Sequence, residues 1–248
     1  MPSALAPRGR VPRRSTEAPG LPVPLFLLNL KSYPSTAGER GLAIGRALAR
    51  LGRERSVNTA LAAAAADLGW FAHELDLPVL AQHTDAARAG AATGWIVPEC
   101  LALSGVRGSL VNHSEHPLRY GEIRTTLSRL RANRLTPVLC ARSPAAVRAL
   151  LSFRPPLLAI EPPELIGGAR SVSTARPEVI SQTVELARRL SPRTRVLCGA
   201  GIHDRNDVRR ALELGSEGIL VASAVALSPD PPRAIRELLA GFGAIPDG

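Results

Sequence analysis

The chain has almost no lysine. Of its 31 basic side chains, 30 are Arg and one, Lys31, is Lys. Cysteine is equally sparse, at 3 of 248 residues, and aromatics make up only 3%. Cys100, Cys140 and Cys198 are far apart, odd in number and without a CxxC spacing. That argues against a disulfide framework or a zinc site and favours a reducing, cytoplasmic setting. No run approaches the roughly 18 apolar residues of a membrane span. No GxGxxG follows the first apolar run, which disfavours a doubly wound dinucleotide-binding sheet. Acidic residues are outnumbered 21 to 31, a net charge of +10. The Arg residues, however, are scattered at helical spacing among Ala and Leu without interleaved aromatics. They read as solvated helix faces and not as a nucleic-acid stripe, so neither a nucleic acid nor a membrane is expected as partner.

What is present is a globular composition, 45% apolar and 21% charged. The length suits one large domain, since a single α/β barrel runs to about 250 residues. Residues 1–22 are rich in Pro, Arg, Ser and Gly, with no apolar period and no apolar core of a secretory signal. They read as a disordered tail, leaving 23–243 as the domain. Within it, short apolar runs at 25–30, 57–62, 78–82, 106–112, 137–140, 157–161, 195–199 and 217–222 alternate with segments of helical period such as 37–51, 177–190 and 204–214. The runs are apolar at nearly every residue, as strands buried on both faces are. Ser143-Pro144, Arg176-Pro177 and Asp230-Pro231 mark helix starts. Eight such units predict a closed (β/α)8 barrel, an α/β fold with its chemistry where the strands end.

The strand ends are informative. The first run finishes Asn29-Leu30-Lys31, with Asn29 and Lys31 on one face, towards the barrel mouth. The fourth ends Asn112-His113-Ser114-Glu115, and the sixth Glu161-Pro162-Pro163-Glu164-Leu165-Ile166-Gly167. Gly199-Ala200-Gly201 follows the seventh and Ala222-Ser223 the eighth, small turns ahead of helices where backbone N–H groups can hold an anion. Lys31 stands out against its own background: a chain that otherwise uses only Arg keeps a compact ammonium at one strand end. His73, His83, His116 and His203 carry no such context and read as structural.

These motifs, in this order, resemble triosephosphate isomerases in their short archaeal form, over about residues 25–239. The likeness rests on Asn29-Leu30-Lys31, His113-Ser114-Glu115, the Glu161–Gly167 run and Cys198-Gly199-Ala200-Gly201-Ile202, with Ala81-Gln82-His83, Thr93-Gly94 and Ala222-Ser223 as further marks. The resemblance implies a glycolytic and gluconeogenic isomerase interconverting dihydroxyacetone phosphate and D-glyceraldehyde 3-phosphate, without metal or organic cofactor. It implies Glu161 as catalytic base, His113 as neutral electrophile and Lys31 as the cation. Asn29, Leu30, Lys31, Ile166, Gly167, Gly201, Ala222 and Ser223 would bind the substrate. A lid from 162 to about 175 would close over it. The family is itself a standard case of tuned pKa values and of loop closure, so these roles are carried over and not discovered. It also implies a homodimer or homotetramer, in which a neighbour's third loop, around 82–94, braces Asn29 and Lys31 through Thr93. There are departures: His116-Pro117 stands where the family usually has two Arg, and Gly167-Gly168-Ala169-Arg170 where a Gly-Thr-Gly is usual in the lid. A sibling isomerase for a four-carbon ketose phosphate, or a non-catalytic phosphate-binding barrel, are the alternatives.

Overall fold

A computed structural model describes residues 20–165 and 171–243. Its strands are β1 (Leu25–Asn29), β2 (Asn58–Ala63), β3 (Val79–Ala81), β4 (Gly108–Val111), β5 (Thr136–Ala141), β6 (Leu157–Ile160), β7 (Arg195–Cys198) and β8 (Gly218–Val221). Each pairs with the next in sequence, and β1 pairs in parallel with β8, so the sheet closes into a single (β/α)8 barrel. Every expected strand window contains its strand or misses it by a residue. Around the barrel run α1 (Gly38–Glu54), α2 (Leu68–Glu74), α3 (Pro98–Leu103), α4 (Tyr120–Ala132), α5 (Pro144–Leu150), α6 (Val172–Ala175), α7 (Pro177–Leu190), α8 (Arg205–Glu213), α9 (Ser223–Ala226) and α10 (Pro231–Leu239). The proline-marked starts hold. The Ser143 hydroxyl accepts from the Ala146 N–H at 3.2 Å, and Asp230 Oδ1 from the Arg233 N–H at 3.0 Å, filling donors that a helix N-terminus leaves without intrahelical partners.

The continuous apolar runs divide by the period of two that any strand imposes. Leu25 and Leu27, Ala60 and Ala62, Leu80, Leu110, Val138 and Cys140, Leu157 and Ala159, Leu197 and Leu220 pack together as one cluster, the filled barrel lumen. Phe26 and Leu28, Leu61, Val79, Val111, Leu139, Leu158 and Ile160, Val196 and Ile219 belong to a second cluster with the apolar faces of the helices. Leu21, on the boundary of the segment read as a tail, is buried in the lumen cluster. The inward series has a consequence at the other end. Two residues beyond Leu27 comes Asn29, two beyond Ala159 comes Glu161, and two beyond Leu197 comes Gly199. The same phase that packs the lumen therefore aims these residues over its mouth. No helix among the described residues is long and apolar enough to cross a membrane.

Candidate active site

Asn29, Lys31, His113 and Glu161 line one compartment at the strand ends, together with Gly201, Ala222 and Ser223. Asn29, Lys31 and His113 also border an adjoining cleft of about 470 Å³.

Lys31 sits just past the last ladder pair of β1, with φ at +55°, a left-handed conformation that costs a non-glycine residue about 1–2 kcal/mol. Two amide side chains replace the missing ladder partners. Asn29 Oδ1 accepts from the Lys31 N–H at 3.0 Å, and Gln82 Nε2 donates to the Lys31 carbonyl at 2.9 Å. So fixed, Lys31 places its ammonium 2.5 Å from Glu115 Oε1.

His113 follows Asn112, which also has a positive φ, of 62°. Asn112 is held by its own amide, which donates to the Cys140 carbonyl at 3.0 Å and accepts from the Leu118 N–H at 3.0 Å. The Glu115 N–H donates to His113 Nδ1 at 3.2 Å. A nitrogen that accepts carries no proton, so in the neutral ring the hydrogen is on Nε2. That nitrogen lies 3.5 Å from Glu161 Oε2. Burial holds the His113 pKa below its ordinary value; Glu115 opposes this and Lys31 adds to it. The ring is therefore neutral at neutral pH, with an N–H pointing into the compartment.

Glu161 has only 8% of its surface exposed, and its Oε2 has no hydrogen-bond partner. Burial raises its pKa to about 7, against the opposing pull of Lys31. The thiol of Cys140 beside it is pushed up by burial and stays protonated. A carboxyl poised near neutrality and facing a neutral imidazole and an ammonium is suited to taking a proton from carbon and returning it. Among the described residues no group of three or more His, Cys, Asp or Glu side chains could hold a metal ion.

The sequence profile of the family described as Triosephosphate isomerase matches residues 24–237. The chain belongs to the triosephosphate isomerase family. A triosephosphate isomerase of Cenarchaeum symbiosum is 46% identical over 215 residues, 87% of this chain and 96% of that one. Those of Methanopyrus kandleri and Methanothermus fervidus are 39% and 38% identical, over 90% and 87% of this chain and 99% and 97% of their own.

Of the residues singled out from the sequence of this family member, Asn29, Lys31, His113, Glu161, Gly201, Ala222 and Ser223 come together. Leu30 does not. Its side chain is buried in the outer cluster, its N–H donates to the Ala62 carbonyl at 3.0 Å, and its own carbonyl accepts from the Thr36 hydroxyl at 2.9 Å. The strand period turns it away from the face that Asn29 presents. Ile166 and Gly167, with most of the expected lid, lie outside the described residues. Glu164, just before them, is exposed and pairs with Arg176 at 2.7 Å. Two contributors have a part in the site that the sequence reading does not give them. Gln82 anchors Lys31 from 51 positions away. Gly199 leaves room for the carboxylate: a Cβ there would stand 2.9 Å from Glu161 Cγ and 3.0 Å from its Oε1.

Proposed function

We propose that this member of the triosephosphate isomerase family interconverts dihydroxyacetone phosphate and D-glyceraldehyde 3-phosphate through an enediol, with Glu161 as the base. Glu161 removes a proton from the carbon beside the carbonyl. His113, through its Nε2–H, polarises the carbonyl oxygen and passes protons between the two oxygens of the enediol. Glu161 then returns its proton to the neighbouring carbon. Lys31 stabilises the developing oxyanion and the phosphate dianion, and Asn29 donates beside it. Backbone N–H groups at Ile166, Gly167, Gly201, Ala222 and Ser223 hold the phosphate. Closure of the 162–175 segment excludes water and keeps the enediol phosphate from eliminating its phosphate. Leu30 contributes to the core and not to binding. The observation that carries this reading is the pairing, 3.5 Å apart, of a carboxyl titrating at about 7 with a neutral, Nε2-protonated imidazole. The test is a coupled assay on triose and tetrose phosphates side by side, repeated on two variants. Glu161→Gln is expected to lose at least ~10²-fold in kcat on the triose, the lower range for loss of a general base. The exposed Glu164→Gln is expected to stay within a few-fold of the parent. Equal losses would overturn the assignment of the base.

The same reading includes a homodimer or homotetramer. The 470 Å³ cleft beside Lys31 is lined by Tyr33, Ala64, Leu68 and Ile96, and the third loop exposes 58% of Trp95. A loop with an exposed indole and a cleft with apolar walls suit an exchange between two copies. Light scattering that finds a fully active monomer at micromolar concentration would refute it.

A further inference from the structure

His83 and His116, two of the four histidines that read as structural in the sequence, lie face to face. Their ring centroids are 3.7 Å apart and their planes within 8° of parallel. Both border the large cleft, beside Lys31, His113 and Glu115. Each ring is tied to a different loop. His83 Nε2 is 3.1 Å from Asp85 Oδ1, and Asp85 closes the neck of the third loop: its Oδ2 accepts from the Ile96 N–H at 2.7 Å and its own N–H donates to the Ile96 carbonyl at 2.9 Å. His116 ends the turn that carries His113 and Glu115, its N–H donating to the His113 carbonyl at 2.8 Å. The stacked rings therefore join the turn that holds the electrophile, and the carboxylate pairing Lys31, to the neck of the third loop.

We propose that His116 is a positioning residue, whose stacking on His83 fixes the 113–116 turn against the third loop, and that the junction opens when both rings carry a proton. The inference rests on reading His113 and Glu115 as parts of the active site. The charges around the stack set its behaviour. From the third loop, Asp85 faces His83; from its own turn, Glu115 and His113 lie beside His116; from the segment after β1 come Lys31 and the hydroxyl of Tyr33. Asp85 supplies a carboxylate contact to the stack, at His83 Nε2. Protons on both rings put two cations face to face at van der Waals distance. Burial, followed by the charge of His83, keeps the His116 pKa below its ordinary value, with Asp85 opposing. A histidine with a depressed pKa in the fold contributes stability above its unfolded pKa and loses it as pH falls towards the folded value. The junction is therefore closed at pH 7 and above and loosens on acidification.

The test compares the parent with His116→Phe and His116→Gln, all in a Trp70→Phe background so that Trp95, next to Ile96, alone reports on the third loop by its emission. Phenylalanine keeps a flat ring that a protonated His83 stacks on favourably, by a cation–π contact, and cannot itself be protonated. Trp95 emission is expected to titrate between pH 7 and 5 in the parent and to stay flat in His116→Phe. At pH 8 His116→Phe is expected to keep the parent's kcat/KM within twofold, and His116→Gln to lose at least threefold. Identical Trp95 titrations in the parent and His116→Phe would overturn the proposal, as would a His116→Gln enzyme equal to the parent at pH 8. Should His116→Gln fail to fold, the Trp95 comparison still decides. A His113→Gln variant that retains full turnover would instead sink the reading of the site, and leaves the Trp95 titration intact.

Discussion

Adding one methyl group at Gly199 tests whether the position of Glu161 is set by packing. The Cβ of Gly199→Ala would stand 2.8 Å from the Leu220 carbonyl oxygen, 2.9 Å from Glu161 Cγ and 3.0 Å from Glu161 Oε1. Ordinary contacts to carbon are about 3.5–4.0 Å, so something must move by roughly half an ångström to one ångström. The Leu220 oxygen belongs to the backbone of β8, one of the strands that closes the barrel. Glu161 lies one residue past the end of β6 and is the softer neighbour. The strain therefore falls on the carboxylate. Gly199 is not in the left-handed region, so the expected effect comes from the close contacts of the added methyl and not from a positive φ. Misplacing a reacting group by about 1 Å costs on the order of 10²-fold in rate. Overpacking of this kind costs about 1–3 kcal/mol of stability. We expect Gly199→Ala to fold, to lose between about ten- and a hundredfold in kcat by the range of that positioning effect, and to change KM little, since Lys31, Ala222 and Ser223 are not struck. Steady-state kinetics in both directions, with denaturant melts on the same preparations, measure both quantities. A kcat within twofold of the parent would refute the argument that Gly199 holds the place of the base.

Lys31→Arg is expected to fold normally but lose on the order of 10²-fold in kcat/KM, with a raised KM, because a planar guanidinium cannot take the place of an ammonium in a tight site; kinetics near those of the parent would leave the single lysine an accident of composition. The acid limb of kcat/KM is expected to have its midpoint near pH 7, where Glu161 becomes protonated and ceases to be a base, and a midpoint near 4.5 would contradict the burial argument. The same shift has a stability sign. A carboxyl raised to about 7 in the fold from an ordinary 4.5 contributes stability below about 4.5 that is lost as pH rises through about 7. Denaturant midpoints between pH 5 and 8 should therefore fall less in Glu161→Gln than in the parent. Deleting residues 1–19 is expected to leave melting and turnover unchanged, whereas deleting through Leu21 removes a buried leucine and costs about 1.5–3 kcal/mol.

The barrel could be read almost element by element because its strands are buried on both faces and so are written as apolar runs, while its helices carry a 3.6-residue period. Lys31 was legible for a different reason, the contrast with 30 Arg elsewhere. Less legible were the features that depend on closure. Nothing local to Gln82 says that it will meet the carbonyl of Lys31, because that contact exists only once β3 lies next to β2, itself next to β1. Leu30 was grouped with its neighbours by resemblance, and the strand period alone would have placed it on the opposite face from Asn29. The histidine stack joins residues 33 positions apart in two loops, beyond the reach of any periodicity. Gly199 looks like one more turn glycine until β6 and β7 are adjacent and its missing side chain is seen to be the space that Glu161 occupies.

Asn29 is the last paired residue of β1, and Lys31, His113 and Glu161 lie just beyond the ends of their strands; the physical reason can be followed at Lys31. Inside the ladder, each N–H and C=O is committed to a neighbouring strand and φ is held in the extended region. One residue further, the backbone is free to turn, but its polar groups then need partners near the barrel mouth. At Lys31 those partners are the amides of Asn29 and Gln82. At Asn112 the side-chain amide instead ties the turn to β5 and to its own loop, donating to the Cys140 carbonyl and accepting from the Leu118 N–H. Amides suit this task because they both donate and accept without carrying charge. A carboxylate in place of Asn29, which shares a compartment with Glu161, would add a further anion there and raise the Glu161 pKa further. The neutral amides thus fix the backbone and leave the local field to the charged groups: Lys31 and Glu115 at the rim, and Glu161 inside. This division lets a buried carboxyl rest near neutrality within the field of the Lys31 ammonium, without being drawn down to the ordinary carboxylate value.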